Sequence, residues 1–329
     1  MATQMAFRIL EVISHRLDEA GAGLFLTCSI GIALYPEDGA DAQDLIKNAL
    51  VAVNHAKKNG RNNFQFYKQS MTEEATHRLQ IENQLNYALK NGEIKLWYQP
   101  QYHSVGRQPR SVEALLRWKK ADGSFVSPSE FIPIAEESGK ILEIGSWVLI
   151  EACKQCSKWM SEGIEIPISV NISAVQLQSS GFVDFVKGTL EQYNLSPHLI
   201  ILEVTETALM NNEELALGRI KQLSELGIKA SLDDFGTGYS SLSLLKKVSV
   251  SEIKIDKSFV DGLPCDSDDE SICSSIISVA HNMGLKVVAE GVETLEQIRA
   301  LEEMGCDKLQ GYYFSAAVEP IEIQAIFYR

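Results

Sequence analysis

From Glu93 to the C-terminus the chain repeats one pattern, a short apolar segment followed by a longer amphipathic one, and that repetition narrows its fold more than any other feature. The short segments are residues 93–101, 110–118, 167–172, 199–205, 228–233, 252–256, 285–290 and 307–310, and helical apolar spacing fills most of the gaps. Strands that alternate with helices pair in parallel, and eight of them can close on themselves with the helices outside. Only residues 103–109 lie between the first two segments, too few for a crossover helix, so these two are predicted to pair antiparallel. The predicted fold class is α/β: a (β/α)8-type, TIM-like barrel with an antiparallel first strand, filling residues 84–329.

Residues 1–69 do not share the pattern. They read as a helix over 4–19, a strand over 24–34, a Pro-Glu-Asp-Gly turn, a helix over 41–58 and a short strand over 64–67. So few strands make a poor sheet, and the segment is predicted to be a fragment of a mixed α/β domain. Residues 70–90 are polar, with apolar side chains at helical spacing (Met71, Leu79, Ile81, Leu85, Tyr87, Leu89), and are predicted to form a connecting helix.

The formal charge of −14 argues against duplex nucleic acid or an anionic membrane as partner, since both are held by clustered Lys and Arg. A small phosphorylated ligand stays compatible if metal ions invert the local field. No apolar run approaches the ~18 residues a membrane span needs, and the six cysteines are scattered, which predicts a reducing, cytoplasmic setting. Cys153 and Cys156 form a C-x-x-C inside an apolar helical pattern with no second pair, so they read as packed thiols rather than zinc ligands.

In barrels of this kind the chemistry comes from the C-terminal ends of the strands. The polar residues there are Glu113 (with Arg117), Asn171, Glu203, Asp233 and Asp234, Lys254, Glu290 and Gln310, from strands two to eight in turn. A carboxylate inside an apolar strand, as Glu203 is in I-I-L-E-V-T, is costly unless paired or metal-bound. Five carboxylates and an amide converging on one mouth would repel one another without cations, and such oxygen ligands suit Mg2+ or Mn2+ rather than zinc. Glu113, Leu115 and Arg117 alternate along one strand and so share a face; together they could serve a phosphate ester carrying a flat base, or Glu113 and Arg117 could form an interior ion pair. The glycines of D-D-F-G-T-G-Y-S-S allow close backbone approach after Asp234, as a working loop or as a plain turn. A lysine ending strand six would also suit a Schiff-base aldolase, but the surrounding carboxylates would keep Lys254 protonated.

Together the motifs E-A-L-L-R at 113, V-N-I-S at 170, L-E-V-T-E at 202, D-D-F-G-T-G-Y-S-S at 233, I-K-I-D at 253, V-V-A-E-G-V-E at 287 and L-Q-G-Y-Y-F at 309 resemble the EAL-domain cyclic-di-GMP phosphodiesterases. Within residues 25–67, T-C-S-I-G-I-A-L-Y-P-E-D-G and A-K-K-N-G-R-N resemble the C-terminal half of a GGDEF (diguanylate cyclase) domain, the half without cyclase chemistry. Leu50 and Asn54 stand where that family usually has Asp and Tyr, and S-A-A-V-E-P at 315 departs from the S-K-P-V common in the first family.

The resemblance implies hydrolysis of cyclic-di-GMP to linear pGpG with two Mg2+ or Mn2+ ions per site, or, as the alternative, a silent cyclic-di-GMP receptor. It implies Glu113, Asn171, Glu203, Asp233, Asp234 and Glu290 as metal ligands, with Asp233 bridging. Lys254 is implied to orient and activate the attacking water, with Glu113 and Glu290 in the catalytic set. Gln99, Arg117, Leu115 and Gln310 are implied on the substrate side, and Glu206 is implied to hold the loop after strand five. A homodimer is implied as well, and the chain could belong to a longer, membrane-anchored parent.

Overall fold

The computed structural model describes residues 1–18, 26–236 and 242–328, and divides into two compact units, Met1–Gln84 and Leu85–Arg329. In the first unit two three-residue strands, β1 (Ile30–Ile32) and β2 (Phe64–Phe66), pair in parallel with Ile30 opposite Phe64. The helix Ala42–Lys58 packs against them, started by Asp41, whose side chain accepts from the Asp44 amide. Ala52 and Ala56 of this helix are fully buried, and Gly31 lies so close beneath it that a Cβ would meet the Ala49 carbonyl. A helix over Ala2–Asp18 precedes the pair, and another over Gln69–Ala88 follows it.

The second unit is the barrel. Its strands are β3 (Ile94–His103), β4 (Pro109–Lys119), β5 (Phe125–Val126), β6 (Ile168–Asn171), β7 (Ile200–Thr205), β8 (Lys229–Phe235), β9 (Glu252–Ile255), β10 (Lys286–Ala289) and β11 (Lys308–Leu309). Each of the eight segments expected from the sequence is a strand, in the order β3-β11-β10-β9-β8-β7-β6-β4, and β3 pairing with β4 closes the ring. All neighbours are parallel except at β3, which runs antiparallel to both β4 and β11, as the short 103–109 connection predicts. The small strand β5 was not expected; it pairs antiparallel with the end of β4, Trp118 opposite Val126, after a turn at Gly123 (φ 88°).

Alternation along the strands separates two faces. In β7, Ile200, Leu202 and Val204 pack outward against helices, and Ile201, Glu203 and Thr205 turn inward. In β9, Ile253 and Ile255 do the former and Glu252 and Lys254 the latter. Large side chains fill the layer between strands and helices: Trp118, Trp159 and Phe131 are fully buried, with Trp118 edge-on to Phe131 at 5.5 Å and Trp159 edge-on to Tyr98 at 5.0 Å. Cys153 and Cys156 belong to this layer; both are wholly buried and burial pushes each thiol up to about 12. None of the described helices is long and apolar enough to cross a membrane.

Candidate active site

The inward residues at the C-terminal ends of the parallel strands converge around one lysine. Lys254 is 1 % exposed, and its ammonium lies 2.7 Å from Glu290, 2.8 Å from Glu203, 3.2 Å from Asp233 and 3.6 Å from Glu113. Burial alone would lower the pKa of this amine, but Glu113, Glu203, Glu290 and Asp233 outweigh it and hold the group well above its ordinary value. It is therefore an ammonium at neutral pH, which disfavours a Schiff-base nucleophile.

The carboxylates differ according to their partners. Glu113 is buried yet held below its usual range, because Lys254 and hydrogen bonds from Gln310 and Asn171 overcome its desolvation. Gln310 Nε2 donates to one oxygen at 2.7 Å and Asn171 Nδ2 to the other at 2.7 Å. Glu203 is raised, by burial first and then by Glu113. Glu290 is raised to about 8, by burial only partly offset by Lys254, with Asp233 and Glu113 adding to the rise. Asp234 is raised by burial and by Asp233.

One ammonium among so many carboxylates leaves the mouth short of positive charge. Carboxylate oxygens of Asp233, Asp234 and Glu290 lie within 4.8 Å of one another, and Glu203 Oε1 is buried without a hydrogen-bond donor among the described residues. Hard oxygen donors, surplus negative charge and an unpartnered buried oxygen all fit divalent ions of the Mg2+ class. Asp234 adopts φ 53°, a left-handed conformation tolerated mainly by Gly, Asn and Asp, while its amide donates to Asp233 Oδ1 at 3.0 Å. This turn gives two successive residues a place at one mouth, which simple strand alternation would deny them. Gly291 (φ 70°) follows Glu290, and there a Cβ would run into the Lys257 side chain.

The remaining expected residues divide. Gln99 lies opposite Glu113 in the β3–β4 pairing, where its Oε1 accepts from Gln310 at 3.2 Å and its Nε2 donates to the Ser315 carbonyl at 3.1 Å. Leu115 lines both the acidic cavity, about 290 Å3, and a neighbouring cavity of about 440 Å3 that also includes Arg117 and Asn171. Arg117 makes no ion pair with Glu113: its guanidinium donates to the Leu116 carbonyl at 2.9 Å and lies 6.0 Å from the centre of the Trp97 ring. The interior Glu113–Arg117 pair weighed from the sequence is thus replaced by Glu113 with Lys254. Glu206 is buried at the start of the helix Glu206–Met210, which Thr205 caps through the Ala208 amide. Of the loop after strand five that it is expected to hold, residues 237–241 lie outside those described.

Several side chains at the site went unnoticed in the sequence. Lys257 pairs with Glu293 at the rim, beside the exposed ring of Tyr312. Glu293 recurs three positions after Glu290 within V-V-A-E-G-V-E, a signal that was available. Glu136, half-buried and raised by desolvation, lines the neighbouring cavity from the helix Pro128–Glu137, where no strand-end rule could find it.

Comparison with known proteins agrees with this geometry. Residues 82–317 match the EAL domain model, and residues 1–63 match the model described as diguanylate cyclase, GGDEF domain. Among curated relatives, the bifunctional diguanylate cyclase/cyclic di-GMP phosphodiesterase MucR of Pseudomonas aeruginosa is 42% identical over 312 residues, 94% of this chain and 46% of that protein. The cyclic di-GMP phosphodiesterase NbdA of the same organism is 38% identical over 320 residues, 97% of this chain and 40% of that protein. The chain thus spans less than half the length of either relative. The solved structure of the PaMucR phosphodiesterase in complex with c-di-GMP superposes with a TM-score of 0.72 at 41% identity, covering 74% of this chain and 99% of that one. The closed barrel with its reversed first strand and the match over residues 82–317 place the chain in the EAL-domain family, with a GGDEF fragment ahead of the barrel.

Proposed function

We propose that this chain hydrolyses cyclic-di-GMP to linear pGpG at the acidic mouth of the barrel. The observation that carries the reading is the charge imbalance there: a single buried ammonium, Lys254, faces Glu113, Glu203, Asp233 and Glu290. Glu113, Asn171, Glu203, Asp233, Asp234 and Glu290 would hold two Mg2+ or Mn2+ ions. Ions bound there neutralise phosphoryl charge and lower the pKa of a water molecule.

The chain's own residues have separate tasks. Lys254, held protonated by its neighbours, donates a hydrogen bond that orients the attacking water and does not serve as its base. Asn171 and Gln310 fix both oxygens of Glu113, so that this ligand cannot rotate away. Gln99 and Gln310 face the substrate, Arg117 offers a guanidinium to a phosphate, and Leu115 supports a base where the two cavities meet. The chain works as a homodimer in the cytoplasm, which sedimentation of the purified protein would check.

Purified chain is incubated with cyclic-di-GMP and Mg2+ or Mn2+, and the product is followed by chromatography. Linear pGpG is expected, and none with chelator. Tight binding of cyclic-di-GMP without turnover would identify a receptor instead.

A further inference from the structure

At the opposite end of the barrel a further cavity, about 510 Å3, opens between the N-terminal ends of the strands. Arg110, Lys229, Lys286 and Lys308 bring four cations to it in a chain whose formal charge is −14. Three carboxylates are also present, but each already has a partner. Glu252 accepts from Lys308 at 2.6 Å, Asp307 accepts from Lys286 at 2.7 Å, and Glu165 lies 3.2 Å from His198. Asp307 further meets His281 at 2.9 Å and the Val287 amide at 2.9 Å, and is held below its usual range although burial opposes this. Arg110 and Lys229 are both exposed at the rim, and neither pairs with any described carboxylate. The surplus charge of this mouth is therefore positive, opposite to that of the active site.

The floor is polar as well. Ser111 is 1 % exposed, donates to Gln101 at 2.7 Å and lies 3.4 Å from Lys308 Nζ. Glu252 is 4 % exposed, and its second oxygen has no hydrogen-bond donor among the described residues. Such an oxygen calls for a hydroxyl or amine from a ligand or a water.

We infer that this basal cavity is a binding site for a small phosphate-bearing anion, its phosphate held by Arg110 and Lys229. The inference does not depend on the phosphodiesterase reading, since it concerns the other mouth. Two sources share that chemistry, free phosphate and a phosphate ester whose hydroxyl groups donate to Glu252.

The test is calorimetric titration of the full chain in chelator, so that no divalent ion at the acidic mouth can bridge a phosphate. Inorganic phosphate and ribose 5-phosphate are the two probes. The double variant Arg110→Glu/Lys229→Glu is compared with Lys187→Glu, an exposed charge reversal on the helix Phe182–Gln192. Binding is expected to weaken by about tenfold or more in the double variant and to stay unchanged in the control. Tighter binding of ribose 5-phosphate would identify an ester, and equal binding would identify the free anion. No binding of either probe, or equal binding to the double variant with an unchanged unfolding midpoint, overturns the inference.

Discussion

The two polar layers inside this barrel are built to one plan and differ in charge. Each places a lysine from one strand among side chains from across the barrel: Lys254 above, with Glu113, Glu203, Asp233 and Glu290, and Lys308 below, with Glu252 and Ser111. The layers lie two residues apart on the same strands, Ser111 before Glu113, Glu252 before Lys254 and Lys308 before Gln310. The lower layer pairs one cation, Lys308, with one carboxylate, Glu252, so the charges of the layer itself balance. The upper layer carries far more negative charge than Lys254 can answer. A barrel interior is ordinarily filled by branched apolar side chains, and the contrast shows that polarity alone does not make a site here. Unbalanced charge does.

Removing one carboxylate from the upper layer is the strongest way to break this comparison. Asp233→Asn is expected to lower turnover of cyclic-di-GMP by about a thousandfold or more, with the fold retained. Steady-state rates and circular dichroism check it, and near-normal turnover would sink the role given to Asp233.

Next in size is the removal of the upper cation. Lys254→Met leaves buried carboxylates facing one another, and chemical denaturation in chelator is expected to show a loss of about 3–5 kcal/mol. Mn2+ should return part of that stability, because ions substitute for the lost charge. The equivalent change below is smaller. Lys308→Met strands only Glu252, at about 2 kcal/mol, and should leave the rate of cyclic-di-GMP hydrolysis unchanged. Equal losses of activity in the two lysine variants would erase the distinction between the layers.

The smallest effect is a pH slope. Glu290 is raised to about 8 and Glu203 is raised as well, so the folded, metal-free protein holds protons that the unfolded chain releases. Their contribution is fully present below the usual carboxylate range and is lost as pH climbs towards 8. In chelator, stability should fall by about 1 kcal/mol per pH unit across that window, and saturating Mg2+ should flatten the slope. A slope of opposite sign would mean that these carboxyls are ionised in the metal-free fold.

Much of this arrangement was legible beforehand because it violates a local rule. Glu203 in I-I-L-E-V-T and Glu290 after K-V-V-A are carboxylates where an apolar strand should continue, and the short connection before residue 110 fixed the reversal of the first strand. The partners of Lys254 were not legible, since they lie on strands far apart in sequence and the stagger of a closed barrel decides which side chains share a level. Arg117 illustrates the same limit: alternation put it on the face of Glu113, but not within reach of it. The lower layer escaped for a different reason. The strand-end rule points to the last polar residue of each strand, whereas Ser111, Glu252 and Lys308 each stand one step earlier on the same face.

The central claim is that the upper layer's surplus charge is matched by two divalent ions and spent on phosphodiester cleavage. Its most direct test counts Mn2+ bound per chain at equilibrium and follows pGpG formation across the same titration. Two ions per chain are expected, with turnover rising as the second binds, and both lost in Asp233→Asn. Turnover undiminished in chelator, or two ions bound with cyclic-di-GMP left intact, would contradict it.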